Sequence, residues 1–395
     1  MVKKNSNTGV EHNGDDDFTE SLIKSINKTI GRPTAYNLNS DENPTHVKRY
    51  ISTGSTLLNY IISNRRDGGI AEGRLIEICG QESTGKTLIA LQILENTQKA
   101  GGIAVYLDSE NATDVELLKS LGIDVDKLVY LQPKYVEEVF EIIEHIIKKI
   151  KETDNDKPIT IVWDSVAATP PKTELDGTYE QNTVGLGARS VSKGLRKITQ
   201  FIGDNRITLV FLNQLKMKIG ASLYEDPWIT PYGKAIPYHA STRIQLTRKR
   251  SSDAKDKDDD FTGVGVKAKV IKNKISPPFR SCEFTIQFYR GIVEHEQLYR
   301  KLIESSPVEL EIDGKNYTIL AKGGAWHSLK IDGENQNEIC NFKFRKIDIE
   351  SKVFNNQKIK KYLDKSLDTV LKKHYSKQDF PEIVYNELSE LDGKV

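Results

Sequence analysis

Cysteine is scarce: three occur in 395 residues, and Cys79, Cys282 and Cys340 stand too far apart for a paired metal-ligand spacing. That excludes a disulfide-stapled scaffold and fits a reducing compartment, the cytoplasm. The seven histidines form no H-x-x-x-H or similar cluster, so nothing announces a zinc centre. Charge of one sign is also missing. A net charge of +1 excludes a broadly basic surface, and any contact with nucleic acid must be a local patch. No apolar run approaches the roughly 20 residues of a membrane span. The start, MVKKNSNTGVEHNGDDD, has two lysines with no apolar stretch behind them, which is not the pattern of a secretory leader.

What is there is an ordinary globular composition, 37% hydrophobic and 29% charged, in a chain long enough for two or three units around one main core. Residues 1–17 are polar and read as disordered. Asp17 and Glu20 resemble a capping box that opens a helix with the apolar face Leu22, Ile23, Ile26 and Ile30, stopped by Gly31. One short amphipathic helix is not stable alone, so it must dock on its own core or on a neighbouring subunit. Pro33 to Pro44 reads as a linker. From about residue 47, apolar strands alternate with amphipathic helices, the pattern of an α/β protein with a mostly parallel sheet covered on both faces. The expected strands are Leu75–Cys79, Ile103–Leu107, Ile159–Trp163 and Ile207–Leu212. Helices are expected over Lys86–Lys99 and Val136–Lys151, the latter with Val136, Val139, Phe140, Ile143, Ile147 and Ile150 on one side. Past Ala240 the alternation shortens to two residues, predicting antiparallel strands around a charged loop, Lys249 to Asp260. From about residue 294 the chain is lysine-rich, with a hairpin over Tyr317 to Ile331 and a helix over Lys358 to His374. The resulting divisions are 1–46, 47–293 and an α+β unit over 294–395.

In open α/β sheets ligands gather at the carboxyl ends of strands, so the residues just past each strand carry the functional signal. The first strand runs into Gly80-Gln81-Glu82-Ser83-Thr84-Gly85-Lys86-Thr87, which fits G-x-x-x-x-G-K-S/T. Such a loop turns backbone N–H groups toward phosphate oxygens, while the lysine reaches the β and γ phosphates and the threonine hydroxyl serves Mg²⁺. The third strand ends in Asp164, placed as the carboxylate that supports that metal. The second leads to Glu110, which reads either as a base that orients water at the γ-phosphate or as an acid opening the next helix. The fourth ends in Gln214, placed to sense the γ-phosphate and pass its presence to the long segment beyond. That segment interleaves Lys216 and Lys218 with Tyr224, Trp228 and Tyr232. Cations among aromatics suit single-stranded nucleic acid; a surface flap with some buried aromatics is the plainer reading. Strand alternation also puts Lys272 and Lys274 on the face of Val266, Ala268 and Val270, either as a solvated strand end or as a paired contact to phosphate.

At these residues the sequence resembles the bacterial RecA strand-exchange recombinase family. The matching stretches, in family order over about residues 47 to 330, are Ile51-Ser-Thr-Gly-Ser55, GQESTGKT, YLDSENATD from Tyr106, LGIDVD from Leu121, VWDSVAA from Val162, ELDG from Glu174, GLGAR from Gly185, FLNQLKMKIG from Phe211, VIKNKISPPF from Val270 and GGAWHS from Gly323. The resemblance implies a RecA-type P-loop ATPase core, with ATP and Mg²⁺ bound by the loop residues, Leu88, Asp114 and Asp164. It implies Glu110 as the water-activating base and Gln214 as the switch from nucleotide to DNA. Lys272 and Lys274 would reach ATP held by the adjacent protomer of a helical filament, and the first helix would pack on the next subunit. Two DNA loops are implied, one around Asp176 to Arg189 including Val184, the other from Lys216 through Met217, Lys218 and Ile219 to Gly233. The implied activity is DNA-dependent ATP hydrolysis driving pairing and strand exchange between single-stranded DNA and a homologous duplex.

The sequence also departs from the family. Leu117 stands where the family has a tyrosine on the adenine, and Tyr232-Gly233 stands where it has a glycine pair. Val184 aligns with the hydrophobic insertion residue of the first DNA loop. The C-terminal region is longer and lacks a dense acidic tail. Such divergence suits a phage-borne or accessory recombinase. The rival readings are a ring-forming helicase or clock-type ATPase on the same core, and a DNA-coating structural protein whose ATPase is vestigial.

Overall fold

The computed structural model describes residues 13–40, 43, 46–153, 156–178, 185–218, 228–250, 262–334 and 337–379. The polar first residues, most of the charged loop, Tyr224, Val184 and Ile219 lie outside them. The chain divides into two compact units, residues 1–48 and 49–395.

In the first unit, helix α1 runs over Asn13–Ile30 and stops at Gly31, whose φ of 74° is the left-handed turn that glycine supplies. It starts earlier than the Asp17 expected. Asn27 ties the next segment back: its Oδ1 accepts from the Thr34 and Ala35 amides, each at 2.8 Å, and its Nδ2 donates to the Ala35 carbonyl at 2.9 Å. Phe18, Leu22 and Ile30 remain exposed.

The second unit is built on a nine-stranded sheet. Its strands in chain order are β1 (Leu75–Gly80), β2 (Ile103–Asp108), β3 (Val129–Leu131), β4 (Ile159–Asp164), β5 (Ile207–Gln214), β6 (Thr242–Lys249), β7 (Gly263–Asn273), β8 (Ser281–Gln287) and β9 (Gly291–Val293). In space they run β9-β8-β7-β6-β1-β5-β4-β2-β3. From β6 through β3 all neighbours are parallel, and β7, β8 and β9 extend the sheet antiparallel. The parallel strands read as unbroken apolar runs because both faces are covered. One face carries α2 (Thr56–Ser63) and α3 (Lys86–Lys99). The other carries α5 (Val136–Thr153) and α6 (Leu186–Asp204), α4 being the short helix Val115–Ser120. The α5 stripe buries Val136, Val139, Phe140, Ile143 and Ile147 against Trp163 and the inward face of α6. Each such side chain contributes about 1.5–3 kcal/mol.

The core on the α3 face continues without a break into a four-stranded antiparallel sheet, β10 (Val308–Ile312), β11 (Lys315–Lys322), β12 (His327–Asp332) and β13 (Glu338–Phe344). The hairpin expected over Tyr317 to Ile331 is β11–β12. Helix α8 (His295–Ser305) and the long α9 (Lys360–Asp379) complete this part, α7 being Ala235–His239 on the other side of the main sheet. Buried Glu294 fixes the junction by accepting from the Ser55 hydroxyl and the Thr56 and Leu57 amides at the start of α2. No helix among the described residues is long and apolar enough to cross a membrane.

Candidate nucleotide site

The carboxyl ends of β1, β2, β4, β5 and β6 share one edge, and a cleft of about 670 Å³ opens there, within the size range of small-molecule sites. Glu82 to Leu88, Glu110, Asp164 and Gln214 line it. The loop from β1 to α3 depends on Gly85, which has φ 83° and sits so close to β8 that a Cβ would lie 2.3 Å from Ile286 Cδ1. Any other residue would strain the left-handed backbone and have to displace the Ile286 side chain.

Lys86 bends over the loop and donates from Nζ to the carbonyls of Gly80 (3.1 Å) and Gln81 (2.8 Å). Burial lowers its pKa, while Asp164 and Glu110 pull the other way. The Thr87 hydroxyl donates to Asp164 Oδ2 at 2.7 Å, and the Tyr106 hydroxyl donates to the same oxygen at 3.0 Å. Burial pushes the Asp164 carboxyl up to about 6, helped by the neighbouring Glu110 and Asp108 charges. Such a carboxylate gains from a cation beside it.

Glu110 rides on a turn held from below. Asp108, buried at the end of β2, accepts from the Glu110 (3.1 Å), Asn111 (2.9 Å) and Thr113 (3.2 Å) amides and from the Tyr130 hydroxyl (2.9 Å). Glu110 Oε1 in turn accepts from the Ser165 hydroxyl at 2.6 Å, across a cis Asp164–Ser165 peptide. The next helix, α4, is capped by Asp114, not by Glu110: the Asp114 carboxylate accepts from the Glu116 amide. Glu110 is therefore free of a helix-starting role, whereas Asp114, expected at the nucleotide, does not line the cleft.

Gln214 closes the fourth side. Immediately after it the Leu215 amide donates to the Gly80 carbonyl at 3.1 Å, tying the first residue of the phosphate loop to the entrance of the next segment. That segment leaves as a short antiparallel ribbon, Lys216–Met217 against Trp228–Ile229. Lys216, Met217, Lys218, Arg189 and Gly233 are exposed.

One expectation needs correction. Lys272 does not continue the face of Val266, Ala268 and Val270. Arg243 pairs with Lys272 but Ile244 pairs with Val270, so Ile271 is an extra residue, and this β-bulge moves Lys272 to the opposite face. There its Nζ donates to the Pro237 (2.7 Å) and Tyr238 (2.9 Å) carbonyls at the end of α7. Lys274 is exposed just beyond the strand. Part of the cleft wall comes from β6, β7 and the residue after β8. Arg248, Gly263, Val264 and Phe288 form it, and none of them was anticipated. The signal was partly present: β6 is parallel to β1, so its end faces the cleft, and antiparallel pairing returns the start of β7 and the end of β8 to that edge.

A phosphate loop, a threonine against a strand-end aspartate, a glutamate over the opening and a glutamine beside it define a P-loop ATPase. The RecA N-terminal domain family matches residues 18–293. Protein RecA of Sulfurimonas denitrificans is 40% identical over 306 residues, 78% of this chain and 81% of the relative. Protein RecA of Wolinella succinogenes is 40% identical over 307 residues, 78% and 80% of the two chains. That of Campylobacter jejuni is 38% identical over 320 residues, 80% and 85%. The chain belongs to the RecA family. It is accordingly a homologous recombinase with a DNA-dependent ATPase.

Proposed function

We propose that this chain assembles head to tail on single-stranded DNA and pairs it with a homologous duplex, acting in the cytoplasm, with ATP hydrolysis at the cleft governing assembly and release. The convergence of Lys86, Glu110, Asp164 and Gln214 on one opening, with Leu215 bonded to Gly80, carries this reading.

Residues Gly80 to Leu88 hold the phosphates and Lys86 exchanges its two carbonyl partners for phosphate oxygens. Thr87 and Asp164 would hold Mg²⁺. The donor set fits: a hydroxyl against one carboxylate, with no cluster of three acidic or histidine ligands among the described residues, leaves positions for phosphate oxygens and water, as Mg²⁺ prefers. When bound, the ion neutralises charge on the phosphates. Glu110 takes the proton of the attacking water. Phe288 is the aromatic of the cleft wall and offers a stacking surface for the base, while Leu117 packs against the core.

Gln214 reads the γ-phosphate and, through Leu215, sets the ribbon that begins at Lys216. Lys216, Met217, Lys218, Ile219 and Gly233 form one DNA loop, and Val184 with Arg189 belong to the other. Lys272 and Lys274 act on ATP held by the adjacent protomer, and the exposed stripe of α1 docks on that protomer. In Glu110→Gln, turnover falls by roughly 10²–10⁴ while ATP binding and DNA filaments persist, as read by nucleotide binding and electron microscopy. Loss of ATP binding together with turnover would make Glu110 structural.

A further inference from the structure

The nucleotide site leaves Tyr232 unexplained. Its backbone is left-handed, with φ 62°, and Gly233 comes next at φ 74°. A bulky residue in that region is uncommon and marks a conformation the surroundings enforce. The ring lies over Gly187 in the first turn of α6, so closely that a Cβ there would be 2.0 Å from Tyr232 Cε1. Its hydroxyl donates to the Thr169 carbonyl at 2.7 Å. Packing over Gly187 needs only the ring; a phenylalanine would fill that space. The hydroxyl reaches further, into the segment beyond β4.

From Thr169 the contacts run on to the catalytic turn. Thr169 is fully buried, and its Oγ1 lies 2.8 Å from Ser109 Oγ and 2.9 Å from the Ser165 carbonyl while accepting from Trp163 Nε1 at 2.9 Å. Ser109 precedes Glu110, and its amide donates to the Asp164 carbonyl at 2.7 Å. Ser165 holds Glu110 Oε1 directly. A hydrogen-bonded run thus joins the residue closing the ribbon segment to both neighbours that fix Glu110.

We propose that Tyr232 is a positioning residue that couples the base of the second DNA loop to the Glu110 turn: DNA engaging the loop acts through the phenol on Thr169, and so on Ser165 and Ser109. The inference rests on the reading of Lys216 to Gly233 as a DNA-binding loop. Tyr232→Phe keeps the ring on Gly187 and removes only the hydrogen bond. The experiment measures single-stranded DNA binding by fluorescence anisotropy, and ATP hydrolysis with and without DNA, for Tyr232→Phe, Ser109→Ala and the double variant.

Tyr232→Phe is expected to bind DNA as the unaltered protein does and to keep its DNA-free turnover, while DNA-dependent hydrolysis falls about fivefold, the worth of one hydrogen bond. The double variant is expected to lose no more than the larger single loss, because both changes cut one run of contacts. Unchanged DNA stimulation in Tyr232→Phe, or losses that multiply in the double variant, would overturn the proposal, as would weakened DNA binding, which would make Tyr232 part of the DNA surface. The loop reading is tested separately by Lys216→Ala with Lys218→Ala: an unaltered salt dependence of DNA binding there refutes that reading and the coupling with it, whereas failure at Tyr232 alone leaves that salt dependence diminished as expected.

Discussion

Lys86 and Lys272 make the same local contact in opposite surroundings. Each donates from Nζ to two consecutive backbone carbonyls, Gly80 and Gln81 for one, Pro237 and Tyr238 for the other, and burial lowers the pKa of both. Around Lys86 stand the carboxylates of Asp164, Glu110 and Glu82. Around Lys272 stand Lys274 and Arg243, and the nearby carboxylate, buried Glu77, is already engaged by Arg243 and by Asn213 Nδ2. The first corner has both signs of charge ready for a phosphate and its cation. The second is cationic with its acid spoken for, which suits the proposed contact with an anion brought by an adjacent protomer. The difference supports one reaction served from two protein surfaces.

Substitution should separate the two corners, most strongly at Lys86. Lys86→Ala removes a cation from the nucleotide's own protomer, so turnover drops by about 10³-fold or more and DNA-stimulated assembly fails with it; hydrolysis at the unaltered rate would sink the assignment. If these lysines meet only the neighbour's ATP, as proposed, Lys272→Ala with Lys274→Ala lowers turnover by about 10²-fold and leaves nucleotide affinity of the dispersed protomer unchanged. A drop in that affinity would put them in their own cleft. Arg243→Ala leaves Glu77 as an unpaired buried charge and is expected to cost about 3–5 kcal/mol in urea unfolding; a loss under about 1 kcal/mol would mean that Asn213 alone satisfies Glu77. The smallest effect is expected at the loop. Lys216→Ala with Lys218→Ala flattens the logarithmic salt slope of single-stranded DNA binding by about 1.4, with no change in thermal stability.

Much of the cleft was legible because local chemistry dictates it. Strand, glycine loop and helix are contiguous in sequence, and the carboxyl-end rule brings Glu110, Asp164 and Gln214 together without knowledge of any contact. The α5 stripe was legible for the same reason: a 3.6-residue period points all its apolar side chains one way. What escaped depends on pairing between distant strands. The bulge at Ile271 is a matter of register between β6 and β7, and nothing in Val-Ile-Lys-Asn-Lys marks which residue is left out. Arg248 and Phe288 reach the cleft only because β7 and β8 fold back beside β6. The Asp114 cap was open to a reading from its position ahead of Val115, whereas a nucleotide role for it came from family likeness alone. Tyr232 was visible as a departure from a glycine pair, yet its partner Thr169 is far away in the chain.

Service of one ATP by two protomers is tested most directly by mixing two nearly inactive variants. Glu110→Gln lacks the base, and Lys272→Ala with Lys274→Ala lacks the cations offered to the neighbour. Random head-to-tail assembly of equal amounts puts an intact Glu110 against intact lysines at about a quarter of interfaces. The mixture is expected to recover DNA-dependent ATP hydrolysis at about a quarter of the unaltered rate, though each parent alone keeps about a hundredth of it or less. No recovery from a mixture whose co-assembly is demonstrated by pull-down of a tagged variant would refute the shared site and return Lys272 and Lys274 to their own subunit.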